Sequence, residues 1–235
     1  GFGIAPRINA MGRLGHSLDA LRLLLTKNRA RSEQLAQVLG ETNVQRQEMT
    51  YEMYGHALSQ SDDWKDEHII IVYSEDYHEG VVGLIAGRLM DRFYKPAIAI
   101  SVGDGIGKAS ARSVVGVNIV ELIREVRDDL LEVGGHPMAA GFGVSEKKLK
   151  KVIKRLKKLA KEKIDQELLK PSIEVAAVIP LELIDEKTIE AIWEFAPFGQ
   201  GNREPILGLK GVEVIQVLTM GADNQHLKII GQGSD

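Results

Sequence analysis

The chain has 235 residues, of which 44% are hydrophobic and 27% are charged, a composition typical of one or two folded domains and not of a disordered or fibrous protein. It contains no cysteine, which excludes disulfides, iron–sulfur clusters and thiol nucleophiles. The net charge of −3 hides a basic segment, because residues 147–163 hold ten Lys or Arg and a single Glu. With no basic-then-apolar leader and no apolar run long enough to span a bilayer, the sequence predicts a cytoplasmic protein that is not bound to a membrane.

Residues 1–58 predict helices after an irregular opening at residues 1–15. Ser17 is placed to cap a first helix that carries Leu18, Leu21, Leu24 and Leu25, and a polar break at residues 27–28 ends this helix. A longer helix is expected from about residue 31 to residue 58, with apolar residues on one face. It fits either a connector between two domains or a helix hairpin that packs on a neighbour outside the chain. Its unusually polar middle comprises Asn43, Arg46, Gln47 and Glu48.

From Glu67 the pattern changes to alternating strands and helices, which predicts an α/β or α+β domain. Its last helix, residues 147–163, combines an apolar stripe with a basic outer face, and this face either neutralises phosphates or stays solvated. Asn118 and Ser145 are placed to cap two of the helices. The predicted strands are His68–Tyr73, Ala97–Val102, Ile106–Arg112 and Met138–Val144, and the other two helices are Val81–Phe93 and Val117–Leu131.

Pro171 marks a boundary, after which short strands and one short helix are predicted. Because residues 231–235 carry no strand signal, this last segment predicts an unfinished β-barrel with an open edge. The expected elements are strands at Ile173–Ile179, Val212–Met220 and His226–Ile230, a helix at Asp185–Phe195 and a rigid turn at Pro197–Asn202.

The stretch from Gly134 to Gly141 is the most informative, because three glycines and two alanines remove side-chain bulk around His136. Glycine permits positive φ and lets main-chain N–H groups approach an anion, and an imidazole can donate to a phosphate oxygen. The sequence allows two interpretations. One is a phosphate-binding loop that uses Gly134, Gly135 and His136, and the other is a tight turn around a buried histidine.

A second polar stretch lies on the later strand of the predicted hairpin. Strand periodicity places Lys108, Ser110 and Arg112 on one face, where an ammonium, a hydroxyl and a guanidinium can converge on one phosphate. An exposed polar edge gives the same pattern. Nearer the start of the chain, Arg7 and Arg13 flank a predicted compact turn and either point into a cleft or form salt bridges.

Other polar groups give weaker signals. His78 and Glu79 resemble an acid–base pair before a helix, but adjacent residues in a loop diverge easily. The aspartate pairs at residues 62–63 and 128–129 are expected to be solvated surface carboxylates and not a two-metal site. Since the sequence has no metal-ligand spacing, Ser–His–Asp order or Walker-type loop, no metal site is expected from this chain alone.

Five segments of distinctive sequence occur in this order: APRINAMGRLG (Ala5–Gly15), the long helix with Asn43 and Arg46, GKASARS (Gly107–Ser113), GGHPMAAGF (Gly134–Phe142) and PFGQGN (Pro197–Asn202). Together they resemble the carboxy-terminal half of the RecJ family, the single-strand-specific exonucleases of the DHH phosphoesterase superfamily. GGH followed by AAG is typical of the DHH-associated domain in general. The opening segment and the PFGQGN turn narrow the resemblance to the RecJ branch.

The resemblance implies a helical connector at residues 1–58, a DHH-associated domain with a mixed sheet at residues 59–168, and a partial OB-fold at residues 169–235. In the family, a preceding DHH domain holds two divalent ions, Mn²⁺ or Mg²⁺, and the carboxylate motifs that bind them are not found in this chain. The resemblance therefore implies a substrate-binding, cleft-closing role for the chain, which alone would bind and not cut. The full protein would hydrolyse single-stranded DNA in the 5′-to-3′ direction.

The resemblance also implies roles for individual residues. A terminal phosphate would be gripped by the segment that contains Ser110, Arg112 and Ser113. His136 would meet the scissile phosphate from the side opposite the metals. The two arginines of the opening segment would lie at the hinge end of the same groove, and Lys108 would join the phosphate-binding face.

The implied partner is single-stranded DNA with a 5′ end, and a single-strand-binding protein is a family expectation. One rival is another DHH-type phosphodiesterase that acts on short oligoribonucleotides or cyclic dinucleotides, although those enzymes usually lack an OB-fold after the GGH domain. A rival of another class is a non-catalytic nucleic-acid-binding module, such as a replisome subunit or a domain appended to alanyl-tRNA synthetase. Spaced aspartates in an upstream DHH segment would separate a nuclease from such a scaffold.

Overall fold

The computed structural model describes residues 1–60, 64–221 and 224–233. The chain divides into two compact units, Gly1–Pro171 and Ser172–Asp235. Helices open the first unit and a mixed sheet follows, whereas the second unit contains further strands and one α-helix among its described residues. The predicted α/β (α+β) fold class is confirmed. None of the described helices is long and apolar enough to cross a membrane.

Three helices begin the first unit, namely α1 (Ile4–Leu14), α2 (Ser17–Leu25) and α3 (Arg29–Ser59). The expected irregular opening at residues 1–15 is therefore wrong. Pro6 is tolerated in α1 because it lies in the first turn, where a missing N–H costs no helical hydrogen bond. Met11 is buried against α3, so α1 is stabilised by tertiary packing that the local sequence does not predict.

The starts of α2 and α3 differ in their capping. Ser17 is the first helical residue of α2, and His16 precedes it without a side-chain cap, so the predicted serine cap is not formed. Asn28 caps α3, because its Oδ1 accepts a hydrogen bond from the Arg31 N–H at 3.0 Å. Near the other end of α3, Ala57 is buried in the core beneath the sheet. The long predicted helix is confirmed.

The sheet of the first unit consists of β1 (Ile70–Ser74), β2 (Ala97–Gly103), β3 (Ile106–Arg112), β4 (Glu132–His136) and β5 (Ala139–Ser145). Their spatial order is β1–β2–β3–β5–β4. β1 runs parallel to β2, and the other neighbouring pairs are antiparallel. The predicted hairpin between β2 and β3 is confirmed, and its two turn residues, Asp104 and Gly105, both have positive φ as a tight hairpin requires.

Helices cover the sheet from both sides. α4 (Val82–Phe93) packs together with α3 on one side, and α5 (Ile119–Arg124) and α6 (Glu146–Lys163) pack on the other. Side chains alternate along a strand, so Ile70 of β1 joins the core under α4 and the next residue, Ile71, joins the core under α6. The sheet is therefore buried on both faces at β1 and β2.

The predicted helix Val117–Leu131 is shorter in the structure. Asn118 caps α5 as expected, accepting from the Glu121 N–H at 3.3 Å. The chain then forms one 3₁₀ turn at Arg127–Asp129, and the Leu131 N–H donates to the Gly143 carbonyl at 2.8 Å. This bond draws the chain into the sheet, where a helix is no longer possible.

Gly134 and Gly135 do not break a helix, because they lie within β4, the edge strand that pairs with β5. The predicted glycine loop is thus a β-hairpin. Glycine has low strand propensity, which is why the local sequence predicted a loop. Ser145 precedes α6 at the cap position but makes no side-chain cap hydrogen bond, so that predicted cap is also wrong.

The described strands of the second unit are β6 (Ala177–Val178), β7 (Leu207–Gly208), β8 (Val212–Met220) and β9 (His226–Gly233), and its helix is α7 (Glu186–Trp193). β6 pairs with β7 in parallel and β8 pairs with β9 antiparallel, and these sheets are not closed into a barrel. The predicted strand Ile173–Ile179 shrinks to two residues. β9 extends to Gly233, so the expectation that no strand follows Ile230 is wrong. The predicted turn at Pro197–Asn202 is present, with the Asn202 amide donating to two backbone carbonyls.

Candidate phosphate-binding site

One face of the sheet, across β3, β5 and β4, carries most of the predicted polar residues in register. Arg112 pairs with Ala139, which in turn pairs with His136. Directly paired residues project to the same side of an antiparallel sheet, so Arg112 and His136 share one row, two strand spacings or about 10 Å apart. The neighbouring row consists of Ser110, Gly141 and Gly134. The structure therefore brings the serine–arginine strand and the imidazole to one surface.

The centre of this surface is accessible because its residues are small. A Cβ added to Gly134 would meet no atom within 4 Å, and one added to Gly141 would meet only a backbone oxygen at 3.4 Å. His136 is exposed on the edge strand, so the alternative of a buried histidine in a tight turn is wrong. We name this surface the open face; it comprises Lys108, Ser110, Arg112, Gly134, His136, Ala139 and Gly141.

α4 begins beside the serine and the arginine of β3. A Cβ on Gly83 would lie 3.0 Å from Arg112 Nη2 and 3.1 Å from Ser110 Oγ, so the missing side chain lets the first helical turn approach both groups. Val81 occupies the cap position, and no side chain of the described residues caps this helix. Uncapped N–H groups and the helix dipole give this end of α4 a partial positive charge that favours an anion.

Arg112 is half-buried and is oriented by short contacts. Its Nη1 donates to Ser110 Oγ at 3.1 Å and to the Ala111 carbonyl at 2.8 Å. Burial lowers the pKa of Arg112, and the charge of nearby Arg13 lowers it further. Arg13 itself donates to the Gly80 carbonyl at 2.9 Å, which fixes the end of α1 against the loop before α4. Two guanidinium groups are thus held near each other.

Two further arginines extend this group. Burial lowers the pKa of Arg46 on α3, and the charges of Arg13 and Arg88 add to that effect. Arg46 Nη2 donates to Asn43 Oδ1 at 2.8 Å, and Arg88 of α4 lies over the ring of Tyr54, 5.6 Å from its centroid. We name Arg13, Arg46, Arg88 and Arg112 the arginine cluster. Within the described part of the chain, none of its members forms a salt bridge.

Lys108 lies at the rim of the open face, where its charge is compensated. Its ammonium forms an ion pair with Glu79, and the hydrogen bond from Lys108 lowers the pKa of this exposed carboxyl. His78 Nδ1 accepts from the Gly80 N–H at 3.0 Å. Because His78 and Glu79 have different partners, they do not form an acid–base pair.

Two predicted residues point elsewhere. Arg7 is exposed and donates to the Gly3 carbonyl. The predicted compact turn around Arg7 and Arg13 is a helix, and six helical steps separate the two side chains by about 120° around its axis. Ser113 is only 1% exposed, and its Oγ donates to the Val117 carbonyl at 2.7 Å, which stabilises the loop after β3.

Gly135 shapes the hairpin of β4 and β5. Its φ is +142°, a conformation that side-chain-bearing residues rarely adopt. An added Cβ would lie 2.5 Å from both the Ala139 carbonyl oxygen and Ala140 Cα, with no space to move. Gly135 therefore holds the open face in shape, whereas Gly134 leaves it uncovered.

Sequence reasoning did not identify Gly83, Arg46 or Arg88 as site residues. Arg46 was recognised only as part of a polar helix, although its spacing of three from Asn43 indicated a hydrogen-bonded pair on one face of α3. Nothing in the sequence near Gly83 or Arg88 signals a site, because their position depends on how α4 packs against β3.

The predicted surface aspartates have different outcomes. Asp62 and Asp63 lie outside the described residues. Asp129 is 7% exposed and forms salt bridges with three basic residues of α6, so the expectation of a solvated carboxylate is wrong for it. In the described ranges, no three His, Cys, Asp or Glu side chains are grouped so that they could hold a metal ion.

Residues 66–162 match the DHHA1 domain, and residues 175–235 match the RecJ OB domain. The chain is 34% identical over 232 residues to the single-stranded-DNA-specific exonuclease RecJ of Bacillus subtilis (strain 168), in an alignment that covers 97% of this chain and 30% of that protein. This chain belongs to the RecJ family. The resemblance predicted from the five sequence segments is confirmed.

Two solved RecJ structures from Thermus thermophilus are similar over 99% of this chain. The RecJ structure in complex with Mn²⁺ has a TM-score of 0.84 and 30% identity, and the chain covers 34% of it. The RecJ structure in complex with Mg²⁺ has a TM-score of 0.80 and 29% identity, and the chain covers 36% of it. The chain thus spans about a third of the length of these RecJ relatives.

Proposed function

We propose that this chain is the substrate-binding portion of a RecJ-like exonuclease that hydrolyses single-stranded DNA from its 5′ end. The observation that carries the proposal is the arginine cluster. Arg112 lies beside Ser110 and the start of α4, Arg13 contacts Gly80 before α4, and no member of the cluster forms a salt bridge with a described carboxylate. Nearby cations repel one another, and burial weakens their solvation, so an anion bound among them removes an unfavourable interaction. A terminal phosphate suits this site because its charge of about −1.5 to −2 exceeds that of an internal phosphodiester.

In this proposal, the two ends of the open face bind two different phosphates of the strand. Arg112 and Ser110 hold the terminal phosphate, together with Arg13 and the N–H groups at the start of α4. His136, about 10 Å away along the same row, donates to the scissile phosphodiester. The small residues between them let the sugar–phosphate backbone lie against the sheet. Arg7 and Ser113 have no part in this proposal, since their side chains point elsewhere.

In this proposal, metal-dependent hydrolysis belongs to a part of the full protein that this chain does not span. The RecJ structures from Thermus thermophilus contain Mn²⁺ or Mg²⁺, whereas the described residues of this chain provide no suitable group of ligands and do not fit such an ion. Paired divalent ions activate water and stabilise the leaving oxygen. We therefore expect this chain alone to bind a strand without cutting it.

The second unit supports the assignment to nucleic acid. Its residues match the RecJ OB domain, and OB-folds commonly bind single-stranded nucleic acid. An OB domain after the DHHA1 domain also favours the exonuclease over a DHH-type phosphodiesterase of short oligoribonucleotides. Binding to a single-strand-binding protein and a cytoplasmic location stay predictions.

The proposal is tested by comparing the affinity of this chain for 5′-phosphorylated and 5′-hydroxyl single strands in fluorescence anisotropy titrations. The unmodified chain is expected to prefer the phosphorylated strand at least about tenfold, because charge-assisted hydrogen bonds contribute roughly 1.5–3 kcal/mol. Arg112→Ala should remove most of that preference.

Arg31→Ala is the matched control, because Arg31 is exposed and its side chain makes no salt bridge with a described residue. This variant should keep the preference for the phosphorylated strand. Equal affinity of the unmodified chain for both strands, or a full preference retained by Arg112→Ala, would show that the arginine cluster does not recognise a terminal phosphate.

A further inference from the structure

A second basic surface lies on the opposite side of the sheet from the open face. Arg112 and its row project to one side of β3 and β5, whereas the alternate residue Phe142 projects to the other, under α6. The outer side of α6 therefore faces away from the arginine cluster, and its lysines do not contribute to that site. The residues that hold α6 on the sheet are Leu149, Val152, Leu156 and Ala160.

The cations on the two flanks of α6 are occupied by carboxylates of the same unit. Asp129 accepts from Arg155 at 2.6 Å and from Lys151 at 2.9 Å, which attaches one flank to the 3₁₀ turn after α5. On the other flank, Lys157 contacts Glu67 at 3.1 Å. These pairs position the helix and neutralise its flanking cations, whereas Lys147 in the first turn is exposed and forms no ion pair with a described residue. The remaining flank contacts are Lys148 with Asp129, Lys161 with Glu67 and Lys163 with Glu125.

The outermost row of α6 is different. Lys150, Lys154 and Lys158 recur every four residues, so they lie in one line along the helix over about 12 Å. All three are exposed. Lys150 and Lys154 form no ion pair with a described residue, and Lys158 has only an exposed contact with Glu162 of the same helix at 3.6 Å. We name these three residues the lysine crest.

We propose that the lysine crest binds the phosphodiester backbone of a nucleic acid at a site separate from the open face. Three like charges at helical spacing repel one another, and a row of phosphates relieves that repulsion. The crest itself offers no aromatic or apolar anchor, whereas the centre of a protein interface is depleted in lysine and rich in such anchors. Lysine acts as a flexible point charge, so binding is independent of base sequence. This inference does not rest on the proposed function of the open face.

The test replaces the crest with glutamine in this chain, as Lys150→Gln, Lys154→Gln and Lys158→Gln together. The probes are 5′-hydroxyl oligonucleotides, single-stranded and double-stranded, so that no terminal phosphate contributes. Each lost phosphate contact lowers the salt slope by about 0.7 for a single strand and about 0.9 for a duplex, so a total reduction of about 2 to 3 is expected. The probe that shows this reduction identifies which form of the backbone the crest binds.

The matched control removes three charges elsewhere, as Lys27→Gln, Arg29→Gln and Arg31→Gln. All three residues are exposed, and Arg29 has an exposed contact with Glu33 that parallels the Lys158 contact. The control should keep the unmodified salt slope. Circular dichroism should show an intact crest variant, because glutamine and lysine have similar helix propensity.

Two results would overturn the inference. One is that the crest variant and the unmodified chain have the same salt slope for both probes, or that the unmodified chain binds neither probe. The other is crest-dependent binding of a polyglutamate peptide without binding of either oligonucleotide, which would assign the crest to an acidic protein. The preference for a 5′ phosphate should survive in the crest variant and be mostly lost in Arg112→Ala, so failure here and failure of the proposed function are distinguishable.

Discussion

The two faces of the five-stranded sheet both carry basic residues but hold them in different environments. On the open face, guanidinium groups from four elements lie near one another, and burial lowers the pKa of two of them. On the α6 side, the flanking cations are paired with carboxylates and the crest is exposed. A partly desolvated cluster favours one localised multiple charge, whereas an exposed row favours an extended polyanion. The number of basic residues alone therefore does not show which of these two kinds of anion a surface binds.

The largest expected effect comes from changing the shape of the open face without changing its charge. Gly135→Ala should destabilise the first unit by about 2–5 kcal/mol, because it combines an unfavourable positive φ with close contacts to the neighbouring strand. Urea unfolding followed by circular dichroism measures this loss.

Gly134→Ala is the adjacent control. An added Cβ at Gly134 meets no atom within 4 Å, so stability should change by less than about 1 kcal/mol. If both variants unfold at the same urea concentration, the hairpin does not require the glycine conformation described at residue 135.

The sequence predicted the two faces unequally well, and the reason is physical. The basic helix is a local feature, with apolar residues at helical spacing and ten Lys or Arg between residues 147 and 163, so pattern alone located it. The alternation of Lys108, Ser110 and Arg112 is equally local and gave the correct face of β3. The arginine cluster unites residues of α1, α3, α4 and β3, and no local pattern reports such long-range packing.

The secondary-structure predictions that were wrong also concern segments whose structure depends on long-range packing and not on local sequence. Residues 1–15 and the Gly134–Gly135 segment have poor local propensity for the elements they form, since proline and glycine are disfavoured in most helices and strands. Packing against α3 and pairing with β5 override those preferences. The resemblance to the RecJ family implied that Ser113 belongs to the segment that grips a phosphate, but the fold buries Ser113 and directs its hydroxyl to the Val117 carbonyl.

An effect of intermediate size tests which arginines of α1 belong to the arginine cluster. Arg13→Ala should weaken binding of a 5′-phosphorylated strand about tenfold, because it removes a charge that lies near Arg112 and Arg46. Arg7→Ala, a change in the same helix, should leave the affinity nearly unchanged, because Arg7 is exposed and bonded to Gly3. Anisotropy titrations at one salt concentration measure both. Equal losses would instead place both arginines in the groove.

The smallest expected effect concerns the carboxylate that neutralises one flank of α6. Hydrogen bonds from Lys151, and then from Arg155 and Lys148, hold the pKa of the Asp129 carboxyl well below its ordinary value, although burial acts in the opposite direction. Because the folded pKa lies below the unfolded value of about 3.9, the ionised group stabilises the fold above about pH 4, and this contribution is lost as the pH falls towards the folded pKa.

Asp129→Asn should therefore be less stable than the unmodified chain at pH 6, and the difference in urea midpoint between the two should narrow at pH 3. The effect is modest because the three cations are themselves partly exposed. A difference that is the same at both pH values would show that the charge of Asp129 does not stabilise α6. The salt bridges on this flank would then not explain how the helix is held.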